Sequence, residues 1–106
     1  DVGLEGAIPF GLLLTELVTN SLKHGFPSGR SGEIFVRLLA GPKEEAGCIL
    51  TVADNGIGVP EGLDPFAGSS MGLQLAVSLA GQLGGVLTFE RGAGVTFVTA
   101  LPRLCA

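Results

Sequence analysis

The chain has 106 residues, enough for one compact domain, and its six Lys plus Arg against ten Asp plus Glu give a formal net charge of −4. That balance argues against a nucleic-acid groove and against direct contact with an anionic membrane, both of which need clustered cations. Glycine is in excess, 18 of 106 residues where about 7% is usual, yet Leu, Ile, Val and Phe make up about a third of the chain, so the glycines belong to a folded domain and mark turns and close backbone approaches.

The first eight residues read as a short lead-in, with Pro9 in the first turn of a helix where its missing N–H costs nothing. Phe10 to His24 keeps a helical period until Gly25, and Pro27 lies just beyond. Gly25 to Gly32 is a loop. Glu33 to Ala40 and Cys48 to Ala53 then read as an antiparallel hairpin around the charged turn Gly41 to Gly47. Nothing periodic appears from Asp54 to Ser70, and a loop of that length in so small a domain suits a lid. Met71 to Leu83 is a second helix, with Leu73, Val77 and Ala80 as its apolar stripe, ending at Gly84-Gly85. Val86 to Glu90 and Val95 to Leu101 are two further strands. This order predicts an α+β fold, a two-layer sandwich with the helices packed on one face of a mixed, mainly antiparallel sheet. Cys48 and Cys105 have neither metal-ligand nor redox spacing and read as two ordinary thiols of a reducing cytoplasm, while no apolar run approaches the roughly 20 residues of a membrane span.

Three stretches carry chemistry. On the first helix Glu16, Asn20, Lys23 and His24 fall at i, i+4, i+7 and i+8 on one side. They are either a solvated face or a ligand-facing row; a mid-helix Asn, whose amide competes for backbone bonds, calls for a reason, and a hard cation would supply one. Asp54-Asn-Gly56 ends a strand, as a hairpin turn would, but no alternating strand follows. A carboxylate there, beside Gly56 and Gly58, can accept from an exocyclic amine of a flat ligand. Gly68-Ser69-Ser70-Met-Gly72 opens the second helix, either as a plain N-cap or as a phosphate cradle at the positive end of the helix dipole. It is not a P-loop, since the Gly-Lys-Ser/Thr ending is absent. No Lys or Arg occurs between Lys43 and Arg91, whereas Glu44, Glu45, Asp54, Glu61, Asp64 and Glu90 are acidic. A polyphosphate docking here therefore needs a divalent cation and Lys23 to offset the field.

In order, these pieces resemble the ATP-binding domain of the histidine-kinase, DNA-gyrase, Hsp90 and MutL superfamily, the Bergerat fold. Glu16-Leu-Val-Thr-Asn20-Ser-Leu-Lys23-His24 looks like the N box, Asp54-Asn-Gly56-Ile-Gly58 the G1 box, Met71-Gly72-Leu73-Gln-Leu75 the G2 box, and Gly94-Val-Thr96-Phe97 the last strand motif. The wording is nearest to bacterial two-component sensor histidine kinases of the short-lid group related to the HWE kinases. The resemblance implies ATP and Mg²⁺ as cofactors. By it Asn20 ligates the Mg²⁺, Lys23 and His24 contact phosphate, Asp54 binds the adenine amine, and Thr96 supports the adenine directly or through water. Gly56, Gly58, Gly68, Ser69, Ser70, Gly72 and Leu73 shape the rest of the pocket, and Glu16 serves as base or orienting group.

The single histidine, His24, lies inside the N box and faces nucleotide in that scheme. Residues 1–106 therefore read as one catalytic domain whose histidine phosphoacceptor and dimerisation domain lies elsewhere, with a response regulator downstream. A serine kinase or hydrolysing ATPase of the same superfamily, and a non-catalytic nucleotide- or partner-binding regulatory module, stand as alternatives.

Overall fold

In the computed structural model, which describes residues 4–26, 31–40, 47–58, 71–92 and 94–102, the first apolar run is helical from Leu4 onward (α1, Leu4–Asn20). Residues 4–8 are thus helix rather than lead-in, and Pro9 lies inside α1 rather than in its first turn. Its ring removes one backbone donor, a loss that the burial of Phe10, Leu13 and Leu17 just beyond it offsets. Leu13 and Leu17 are fully buried, with Leu14 and Val18 beside them. Leu22, four residues after Val18, is by contrast 56% exposed. The cause is a change of winding: after Asn20 the backbone widens into a π turn, Ser21–Gly25, which rotates later side chains off the 3.6-residue stripe.

Two strands follow, β1 (Ile34–Ala40) and β2 (Cys48–Asp54), paired antiparallel with Ile34 opposite Asp54 and Ala40 opposite Cys48. The second helix, α2 (Met71–Gln82), leads into β3 (Leu87–Arg91) and β4 (Val95–Leu101). The strand order is β1-β2-β4-β3, and every pairing among the described strands is antiparallel. The parallel component of the expected mixed sheet is accounted for by β4. It inserts between β2 and β3, which run in the same direction but do not touch, so β2-α2-β3 is a split β-α-β unit.

Both helices pack against each other on one face of the sheet, giving the two layers expected. The core lies between, formed by Leu50 and Val52 of β2, Phe97 and Leu101 of β4, Leu13 and Leu17 of α1, and Leu73, Ala76, Leu79, Ala80 and Leu83 around α2. Val77, expected on the buried stripe of α2, is 45% exposed, because the seam steps through 73, 76, 80 and 83 instead. At the sheet edge, β1 is exposed along its whole length after Ile34. Cys48 is disulfide-bonded, which corrects the reading of it as a thiol. Spacing along the chain tests only for metal and redox motifs, whereas this residue is placed by strand pairing, opposite Leu101 at the far end of β4; Cys105 lies outside the described residues. Among those residues no helix is long and apolar enough to cross a membrane.

Candidate functional site

Alternation along β2 sends Cys48, Leu50, Val52 and Asp54 to the helix side, so the row that fills the core ends in a carboxylate. Asp54 is only 8% exposed. Its Oδ1 accepts the Gly56 N–H at 2.9 Å and the Val95 N–H, longer, at 3.4 Å. Two backbone donors on one oxygen hold the group in a fixed orientation. The second oxygen remains the acceptor to offer a ligand.

Glycines let the backbone close around this group. A Cβ on Gly94 would run into both the Asp54 carboxylate and its carbonyl, and one on Gly56 would run into the backbone of Gly25. Gly25 itself abuts the Asp54 side chain, and the Ile57 N–H donates to the Gly25 carbonyl at 2.9 Å. The end of the π turn is thereby docked onto the segment after β2. This contact joins the polar row of α1 to the carboxylate. Along that row Glu16 and Asn20 are half-buried and Lys23 is exposed, with Asn20 the last residue before the winding changes. Asn55 has a structural part: its Oδ1 accepts the Glu33 N–H at 2.7 Å and its own N–H donates to the Glu33 carbonyl at 3.2 Å, tying the site to the start of β1. Gly58 follows in the left-handed region, φ +77°, where glycine is favoured.

Of the remaining expected residues, Thr96 lies on β4. It pairs with Ala53, so its side chain lies on the helix-free face and the neighbouring Val95 occupies the Asp54 side. Any support it lends a ligand at Asp54 passes through the strand backbone. Leu73 is buried in the core and packs there. Gly72 is the second residue of α2 and His24 lies in the π turn, but the His24 side chain is outside the described set, as are Gly68, Ser69 and Ser70. Sequence reading treated Gly25 only as a helix stop. Its contact with Asp54 joins residues 29 apart and has no local signal.

Among the described residues no group of three or more His, Cys, Asp or Glu could hold a metal.

The model of the histidine kinase-, DNA gyrase B- and HSP90-like ATPase family matches residues 6–104. A blue-light-activated histidine kinase of Erythrobacter litoralis is 35% identical over 98 residues, 92% of this chain but only 28% of that protein. The solved structure of a blue-light-activated histidine kinase from Erythrobacter litoralis superposes with a TM-score of 0.85 at 32% identity, covering 96% of this chain and 32% of that one. The ATP-binding domain of PrrB from Mycobacterium tuberculosis gives 0.67 at 28% identity, over 90% of this chain and 67% of that domain. The chain thus spans under a third of the curated relative it matches, and it belongs to the histidine kinase-, DNA gyrase B- and HSP90-like ATPase family.

Proposed function

We propose that this chain binds Mg-ATP and transfers the γ-phosphoryl group to a histidine on a separate helical phosphoacceptor and dimerisation domain, with a response regulator downstream. One observation carries the reading: a buried carboxylate, anchored on one oxygen by two backbone N–H groups, lies between glycines at the foot of the Glu16–Asn20–Lys23 row. That arrangement offers an acceptor for the adenine amine at one end and an amide, an ammonium and a carboxylate toward the phosphates at the other. The relatives' names as histidine kinases, and the small share of their length that this chain spans, favour the kinase over a serine kinase, a hydrolysing ATPase or a passive regulatory module.

In this scheme the bond between the γ-phosphorus and the bridging oxygen breaks and a P–N bond forms to the acceptor imidazole; ADP leaves with the electron pair of the broken bond. Mg²⁺ would be held by Asn20 and supplies charge neutralisation on the phosphates. Lys23 adds a second positive charge, which matters because the intervening chain is acidic. Glu16 takes up or orients the proton of the acceptor imidazole. Gly68, Ser69, Ser70 and Gly72, with the first turn of α2 through Leu73, cradle phosphate by backbone N–H groups, and His24 contacts it from the π turn. The rest of the work is positioning.

A melting experiment with ATP tests the first step, because a ligand that binds the native state raises its stability by mass action. Mg-ATP raises the midpoint of the wild-type chain, ATP without metal does so less, and Asn20→Ala loses the metal-dependent part. Absence of any Mg-ATP shift in the wild type rules out the nucleotide reading. Adding acceptor domains and assaying for acid-labile phosphate then separates the classes: transfer to a histidine supports the kinase. Acid-stable phosphate on serine, release of inorganic phosphate, or binding alone identifies the respective alternative.

A further inference from the structure

The two helices cover one face of the sheet, and no described element packs on the other. Strand pairing fixes which side chains stand on that second face. The outward row of β2, opposite in sense to its core row, includes Ile49; the pairings continue it to Phe35, Arg37 and Leu39 on β1 and, across β4, to Thr88 and Glu90 on β3. Between the two edge strands the remaining outward positions of β2 and β4 are only Thr, Ala and Val. A sheet with one solvated face normally alternates apolar-in with polar-out. Here the outer side is apolar as well: Phe35 and Leu39 are each at least half exposed, and Ile49 is 36% exposed. Four strands about 4.8 Å apart and about 20 Å long make a face of roughly 400 Å² in plan, and soluble monomers rarely expose an apolar patch beyond a few hundred Å².

The charges on this face are arranged so that a second copy complements them. Its strand residues include one cation and one anion, Arg37 on one edge strand and Glu90 on the other, three strand spacings or about 14 Å apart and so too far to pair with each other. Two such faces laid together are related by a two-fold axis running either across the strands or along them. With the axis across, β1 lies over its own counterpart and the two Arg37 groups meet, like charge on like. With the axis along, β1 lies over the β3 of the other copy. Arg37 shares its level in the ladder with Thr51, Val98 and Thr88, so it comes over Thr88 of that copy, one ladder step of about 7 Å from Glu90 and within the reach of a guanidinium. The symmetry forms the same ion pair at both edges, with the apolar rows between them.

We propose that two copies of this chain associate back to back through the helix-free faces of their sheets, about a two-fold axis parallel to the strands, with Arg37 of each copy paired to Glu90 of the other. The packing is that of an aligned sandwich, two sheets about 10 Å apart with their side chains interdigitated. It is independent of the nucleotide reading: Asp54 points to the helix side of β2, so both carboxylates stay open and face away from each other. Two plan areas of roughly 400 Å², increased by the relief of the side chains, lie near the roughly 1,000 Å² of total buried surface at which specific association begins, so the dimer is a reversible one of micromolar strength.

Sedimentation equilibrium of the chain from about 5 to 500 µM tests this at about 0.15 M salt, where repulsion between two chains of net charge −4 is screened beyond about 8 Å. The weight-average mass is expected to rise from that of one chain toward that of two. Arg37→Glu and Glu90→Arg are each expected to weaken the dimer roughly 10-fold, since every dimer carries the altered contact twice, and the double reversal R37E/E90R to recover it to within about 3-fold. Leu39→Lys, at an exposed apolar position, is expected to abolish it with an unchanged melting midpoint for the monomer, which keeps the test intact if a charge reversal fails to fold. A monomer at every concentration overturns the proposal. So does a dimer indifferent to Glu90, which would place the contact at the β1 edge alone, or one that tightens in Arg37→Gln, which would set Arg37 against its own counterpart.

Discussion

Asp54 depends on residues without side chains. Gly94 passes so close to its carboxylate and its carbonyl that any Cβ there displaces one or the other. Gly94→Ala is accordingly expected to cost about 1–3 kcal/mol, the usual penalty of overpacking, and to weaken ATP binding more than its effect on stability explains. Denaturant midpoints set beside titration calorimetry separate the two effects; full affinity in a stable variant would show that the close approach is irrelevant to the site. Residue identity made part of this visible beforehand. Asp54, Gly56 and Gly58 stand in one short run, and Glu16, Asn20 and Lys23 repeat at helical spacing, so both ends of the site could be read from the chain. Thr96 was read correctly as a strand residue, but which face it takes is set by pairing with Ala53, and pairing is a tertiary fact. Ser21 has no signal in the chain, since a small residue in an apolar stripe reads as packing; its unpartnered Oγ shows only in three dimensions.

At the level of elements, the helical runs and all four strands were legible because each has strong periodicity or punctuation; the ends of the strands and of α2 fell within one residue, while α1 starts at Leu4, ahead of the expected Pro9. The helix faces were harder. Leu75 and Val77 are exposed on α2 while Leu73, Ala76, Leu79, Ala80 and Leu83 are buried, so apolar residues surround that helix and the stripe cannot be singled out from its own residues. The observed seam makes a contrast that can be measured. Ala76→Leu, forced into a fully buried position, is expected to destabilise by about 1–3 kcal/mol, whereas Val77→Gln should stay within about 0.5 kcal/mol of wild type in urea melts. The reverse ranking would mean that α2 is rotated about its axis. The π turn was not legible at all. Nothing between Ser21 and Gly25 departs from helix-forming composition until the glycine, and the widening is imposed by Gly25 docking on the segment after β2.

Over the whole molecule, core and site share the same strand. Leu50 and Val52 are fully buried on the row of β2 that ends at Asp54. Leu50→Ala is expected to cost about 2–5 kcal/mol, as other large-to-small core changes do, and to lower the unfolding midpoint with an unchanged denaturant slope. Because Leu50 touches no ligand in this scheme, ATP affinity per folded molecule should be preserved; a loss of affinity at full folding would indicate that the core also tunes the pocket. The split arrangement of β2, β4 and β3 was not foreseen, since each hairpin is encoded locally but the insertion of one strand between two others is not. It matters here because Val95, at the start of the inserted strand, supplies one of the two N–H groups on Asp54. The alternation of β2 has a further outcome for how this protein can go wrong. Were the strand to slip by one position, Asp54 and every core residue of β2 would turn to the opposite face together, so a misregistered chain could not survive as a folded but inactive impostor. Under the proposed function, ligand binding is in that sense a proofreading signal for the fold: a molecule that recognises nucleotide through Asp54 would, by the same two-residue repeat, already have buried its core.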